Sequence, residues 1–154
     1  MNCFFNKFTD LKVEKFYTSS NVLELSTYIT GNNIYKAKGL GFNRAYIYKD
    51  SSAKKFQQEI EDLLESLPEE VILDTYCCEF NVLYVSEWFF KNGNIKRIDI
   101  TNITKTAEDA ICSKLGIDDS RFFKSNFEKV IPTGGDYSKS MDIIFEINFF
   151  KKSK

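Results

Sequence analysis

DITNITKTAEDAICSKLGIDDS, residues 99 to 120, is the stretch whose reading decides the fold. It opens at the end of an apolar run, takes on helical periodicity and closes on a turn. On a helix beginning near Asn102, the residues Ile103, Ala107, Ala110, Ile111 and Leu115 share one stripe, while Asn102, Lys105 and Asp109 share the opposite one. A strand end feeding a helix start presents free N–H groups and the positive end of the helix dipole. Such a place favours a carboxylate such as Asp99, or a phosphate. Asp118 and Asp119 follow on the short loop GIDDS, which returns a carboxylate towards Asp99 if the next strand pairs beside IKRIDI, residues 95 to 100. Two carboxylates from different elements then hold a divalent ion, with the Lys105 ammonium near a bound phosphate. The same residues also suit a capped surface helix, with Thr101 or Asn102 as N-cap and the Asp pair as turn residues.

Upstream of this stretch, VILDTYCCEFNVLYVSEWFF (71 to 90) reads as one long strand or two consecutive ones. KNGN (91 to 94) supplies hairpin turn chemistry, and IKRIDI is the return strand. Further back, Ser51 or Ser52 caps a helix carrying Phe56, Ile60, Leu63, Leu64 and Leu67 on one stripe, with Pro68 at its end. VLELSTYIT (22 to 30) is strand-like and runs into the turn GNN. Downstream come a strand from about Arg121 to Ile131, the turn PTGGDYSKS and a last strand, MDIIFEINFF. The fold class expected is α+β: a mixed, mostly antiparallel sheet with two main helices packed on it. Residues 1–154 form a single domain, of which residues 1–21 are an N-terminal addition of uncertain role.

No segment approaches the roughly 18 unbroken apolar residues of a membrane span, and the N-terminus lacks a signal-peptide pattern, so a cytoplasmic protein is expected. The chain has no histidine, hence neither the commonest general base nor the commonest transition-metal ligand; any metal is held by oxygen, which favours magnesium or manganese. Cys3, Cys77, Cys78 and Cys112 show no CxxC spacing and read as reduced structural thiols. The formal charge of -1 is unevenly spread: nine acids and no Lys or Arg lie between Phe56 and Phe90, leaving 21 basic against 13 acidic residues elsewhere. That segregation leaves a basic face for a phosphate backbone if it survives folding. The best nucleic-acid-like patch is NIYKAKGLGFNRAYIYK, a basic and aromatic loop around Gly39 and Gly41. Its Tyr35, Tyr46 and Tyr48 either stack on bases or are half-buried strand residues.

Beyond these readings, IDITNITKTAEDAICSKLGIDDSRF resembles the core motif of the RusA-type Holliday junction resolvases. That pattern is Asp-x-Asp-Asn-x-x-Lys-x-x-x-Asp-Ala, followed about ten residues later by Asp-Asp. Asp99, Asn102, Lys105, Asp109, Ala110, Asp118 and Asp119 occupy matching positions, and upstream GNNIYK fits a weaker part of the pattern. The resemblance implies a homodimeric endonuclease that binds four-way DNA junctions and, with Mg²⁺ or Mn²⁺, nicks two strands by in-line hydrolysis, in recombination and repair. It implies Asp99, Lys105 and Asp119 as catalytic residues, with Asp99, Asp119 and Asp118 at the metal. Thr101, Asn102, Glu108 and Asp109 are supporting residues. Asn33, Tyr35, Lys36, Lys38, Arg44, Lys49 and Arg97 are the candidate DNA contacts.

The chain departs from the pattern at one catalytic position. Thr101 stands where the family has its second aspartate, bringing a hydroxyl but no charge, which weakens a divalent site. Glu108, one turn beyond Lys105, is either a substitute carboxylate or a salt-bridge partner. The alternatives to a nuclease are a junction-binding protein with a weakened centre and a non-catalytic interaction domain.

Overall fold

In the computed structural model, which describes residues 12–26, 35–41, 44–49, 51–138 and 140–153, the segment 99 to 120 is a helix between two parallel neighbouring strands. Strand β1 (Val13–Leu25) leads to a two-stranded antiparallel ribbon, β2 (Tyr35–Gly41) and β3 (Arg44–Lys49). Helices α1 (Ser51–Leu63) and α2 (Glu69–Asp74) precede β4 (Cys77–Val85); α3 (Ile100–Leu115) and a 3₁₀ turn at Asp119–Arg121 precede β5 (Phe122–Val130) and β6 (Met141–Lys152). The main sheet has the order β1-β6-β4-β5. β6 is antiparallel to both neighbours, while β4 and β5 are parallel, which is why a helical crossover has to separate them. The fold is therefore α+β, with a mixed four-stranded sheet and two main helices.

One sheet face carries the core. Phe80, Val82 and Tyr84 of β4 and Ile143, Phe145, Ile147 and Phe149 of β6 are buried, together with Phe56 and Ile60 of α1 and Ile103, Ala107 and Ile111 of α3. Each such Val, Ile or Phe side chain contributes on the order of 1.5–3 kcal/mol by leaving water. The α3 stripe expected from periodicity is buried in full, at 2% exposure or less. Tyr84 has its hydroxyl inside this layer, donating to Thr104 Oγ1 at 3.0 Å, and Gln57 of α1 donates to the Thr106 carbonyl of α3 at 2.9 Å. The other face is open and partly polar. Across it runs one hydrogen-bonded rung through all four strands: Thr18 donates to Asn148 (2.8 Å), Asn148 to Glu79 (3.1 Å), and Lys124 pairs with Glu79 (3.2 Å).

Several expected boundaries shift. Val71–Asp74, read as strand, is helical in α2: Pro68 sets the entry backbone, Glu69 and Glu70 lie at the positive dipole end, and the Thr75 hydroxyl closes onto the Val71 carbonyl at 2.5 Å. α3 begins at Ile100 with Asp99 as N-cap, so Thr101 and Asn102 sit in its first turn and neither caps it. Gly116, at φ +72°, ends it with amides returning to the Cys112 carbonyl. Of the two leucines read on the same stripe, Leu64 is buried while Leu63 is 48% exposed. β1 starts at Val13, so residues 13–21 pair with β6, from Val13 opposite Lys152 onwards. The loop around Gly39 and Gly41 is the β2–β3 ribbon. The acidic block divides in space as well, since Glu79 joins Lys124 on the open sheet face. Cys77, Cys78 and Cys112 are buried free thiols. Among the described residues, no helix is long and apolar enough to cross a membrane.

Candidate active site

IKRIDI does not become a sheet strand. It meets the segment after β4 through a single antiparallel bridge, Phe89 with Ile95, and β5 pairs instead with β4. The condition for Asp118 or Asp119 to return to Asp99 is thereby removed. α3 runs back along β5, and Gly116 turns the chain so that Asp119 lies beside the helix face bearing Lys105. There the Lys105 ammonium bridges Asp109, one turn along the helix, at 2.9 Å and Asp119, from the 3₁₀ turn, at 3.2 Å. Residues 14 positions apart in the motif are thus in direct contact.

The two carboxylate hydrogen bonds hold the Lys105 ammonium well above the usual lysine range. It is a permanent cation at neutral pH and cannot serve as a base. Glu108 is displaced from this face by one residue and is half-buried; burial pushes its carboxyl up, against the pull of Lys105, and Asp119 and Asp109 push it further. Cys112, one turn on, is pushed up to about 12 by burial and the same carboxylates, so its thiol stays protonated. Asp118 is exposed, and its carboxylate is held below the usual range by the Ser120 hydroxyl and by the Ser120 amide, which donates to it at 2.8 Å. Counted together, Glu108, Asp109 and Asp119 outnumber Lys105, so the cluster attracts a cation before it attracts a phosphate.

Asp99 lies elsewhere. A rise of 1.5 Å per residue sets it about 9 Å along the helix axis from Lys105 and about 15 Å from Asp109. Its backbone carbonyl accepts the amides of Asn102 and Ile103 at 3.1 and 3.2 Å, and it faces the charge of Lys129. Thr101 is exposed one turn before Lys105, about 6 Å along the axis, so a carboxylate at 101 shares the face of Lys105 and Asp109. Asn102 accepts the Thr106 hydroxyl at its carbonyl, 2.9 Å away. As for a divalent ion, every donor here is a carboxylate or hydroxyl oxygen, the chemistry that suits Mg²⁺ or Mn²⁺. Among the described residues, however, no three His, Cys, Asp or Glu side chains are grouped so as to hold one.

One residue of this region escaped sequence reasoning. Lys129 of β5 donates to the Ile98 carbonyl, just before Asp99, and its ammonium lies 4.9 Å from the centre of the Trp88 ring. Burial lowers its pKa, with Asp99 opposing. Nothing in the linear sequence joins residues 98 and 129; the parallel pairing of β4 and β5 does. Of the candidate DNA contacts, Arg97 is exposed beside Ile98, and Tyr35, Lys36, Lys38, Arg44 and Lys49 fall on the β2–β3 ribbon, with Tyr35 opposite Lys49. Asn33 lies outside the described residues. No protein-family model matches the chain, and no curated protein matches it in sequence.

Proposed function

We propose that the protein is a metal-dependent endonuclease of branched DNA that hydrolyses phosphodiester bonds at four-way junctions, acting in the cytoplasm as a homodimer with Mg²⁺ or Mn²⁺. The observation that supports it best is the meeting of Lys105, Asp109 and Asp119 on an exposed face, the polar positions of the motif drawn together from two elements. Lys105 is the fixed cation that binds a non-bridging phosphoryl oxygen and offsets the charge growing on it during in-line attack. Asp109 and Asp119 orient that ammonium. Asp119, with Asp118 next to it in the chain, would offer carboxylate oxygens to a divalent ion, which when bound would supply Lewis-acid stabilisation of the same phosphoryl charge, while Asp99 stands apart, about 9 Å along the helix axis from Lys105. Lys129 positions the backbone ahead of Asp99.

A second reading, a junction-binding protein that does not cut, draws support from Thr101 in place of an acid and from the axial separation of Asp99 and Asp109. Incubating the wild-type chain with a four-way junction and a linear duplex, in Mg²⁺ and in Mn²⁺ across a salt series, separates the readings. Symmetric nicking of the junction supports the nuclease. Salt-dependent binding without nicking in either metal selects the binder, and no salt-dependent binding removes both, because backbone contacts must weaken as salt rises.

A further inference from the structure

The segment joining β4 to α3 carries a feature that the site does not use. Its root is fixed in the core: Ser86 is fully buried, with its hydroxyl donating to the Ser140 carbonyl at 2.8 Å, and Trp88 is buried, with its indole N–H donating to the Val130 carbonyl at 3.0 Å. Beyond Trp88 the chain forms a short hairpin. The Lys96 amide reaches the Trp88 carbonyl (2.9 Å), the Phe90 amide the Asn94 carbonyl (2.8 Å), and Gly93 turns at φ +85°. This rigid arm ends in Phe89, Phe90 and Ile95, which are 40%, 55% and 60% exposed. Phe89 and Ile95 are bridge partners, and Phe90 and Ile95 line one cleft, so exposed apolar side chains gather at this tip as they do at a contact surface.

Its charge identifies the partner. From Trp88 to Ile98 there are three basic residues, Lys91, Lys96 and Arg97, and no acid, on a chain that is acidic overall. The Lys96 ammonium lies 5.8 Å from the centre of the Phe90 ring. A cleft of about 800 Å³ is lined by Phe90, Ile95, Lys96, Arg97 and Ile98, and so leads to the residue before Asp99. Aromatic faces interleaved with cations are what unpaired nucleotides require: the rings stack on bases and the cations meet the phosphates between them. Resting on the proposed action at branched DNA, we infer that this hairpin tip stacks on unpaired bases at the branch point, holding the junction open at the Asp99 end of the helix.

Phe90→Ala and Phe89→Ala in the full chain test it against a four-way junction with 2-aminopurine at the branch point and a linear duplex of the same sequence. Stacking on a base is worth about 5- to 150-fold in affinity. Phe90→Ala is expected to weaken junction binding about tenfold and abolish the 2-aminopurine fluorescence change seen with wild type, leaving duplex binding within about twofold. Both side chains are largely exposed, so thermal melting of the variants should match wild type. If wild type binds and cuts the junction while both variants do so indistinguishably, the inference is overturned alone and the patch belongs to a protein contact. If wild type binds no branched DNA, the inference falls together with the proposed function.

Discussion

Replacing Lys105 with methionine keeps the aliphatic stem, removes the charge and separates a structural role from a chemical one. At 2.9 and 3.2 Å, each carboxylate contact is worth about 1.3–1.4 kcal/mol in the dielectric of bulk water. Ordering a lysine stem and two carboxylates offsets most of that, and exposed pairs yield about 0.2–1 kcal/mol. With Lys105 57% and Asp119 47% exposed, the lower half of that range applies, and both contacts together come to about 0.5–1 kcal/mol. For a chain of this length that lowers Tm by about 1–4 °C. A cation aimed at developing phosphoryl charge is worth far more, about 10²–10³ in rate. Calorimetry paired with single-turnover nicking of a four-way junction reads both quantities. The expected result is a small loss of stability with at least a hundredfold loss of nicking. Nicking within about threefold of wild type removes Lys105 from the chemistry, and a stability loss above about 2 kcal/mol makes the cluster a structural clasp.

Further outcomes follow from individual residues. Gly116→Ala should destabilise by about 1–2 kcal/mol in urea melts, because φ +72° strains any Cβ, while the added carbon meets only Ile72 Cδ1 at an ordinary 3.7 Å. Burial alone would raise the Glu79 carboxyl, but hydrogen bonds from Asn81, Lys124 and Asn148 outweigh it and hold it below the usual range. Its contribution is therefore complete above its ordinary value of 4.5 and is lost as pH falls through the lowered one; denaturant melts between neutral and acid pH should show a shallower loss for Glu79→Gln than for wild type. Glu108 has the opposite sign. Its folded-state carboxyl is raised, so ionisation costs stability as pH rises above 4.5, and Glu108→Gln should gain on wild type at pH 7 but not in acid.

What was legible in the sequence is what repeats locally. The stripe from Ile103 to Leu115 repeats at helical spacing and is buried as read, and the Lys105–Asp109 pair follows from i,i+4 geometry. The Lys105–Asp119 contact needed the turn at Gly116 as well, a glycine whose position after the helix was a visible signal. β1 was obscured because it is an edge strand with half-exposed residues on both faces, so its alternation is weak, and its partner is distant in sequence, from Val13 opposite Lys152 to Leu25 opposite Met141. Val71 and Ile72 drew the strand reading through β-branching, although Pro68-Glu69-Glu70 is a helix start. IKRIDI alternates like a strand, yet Ile98 is buried while Ile95 lies open on the hairpin, and a bridge at Ile95 is all the pairing it makes. That one pairing error accounts for the place given to Asp99 beside Asp119.

The claim that Asp119 and Lys105 mark a nuclease centre is tested most directly by nicking of a four-way junction in Mn²⁺ with wild type and Asp119→Asn, at protein concentrations where both are shown to bind the junction equally. The account predicts symmetric nicks from wild type and none from the variant. Equal nicking by the two proteins, or none by either in Mn²⁺ and Mg²⁺ despite full binding, would contradict it.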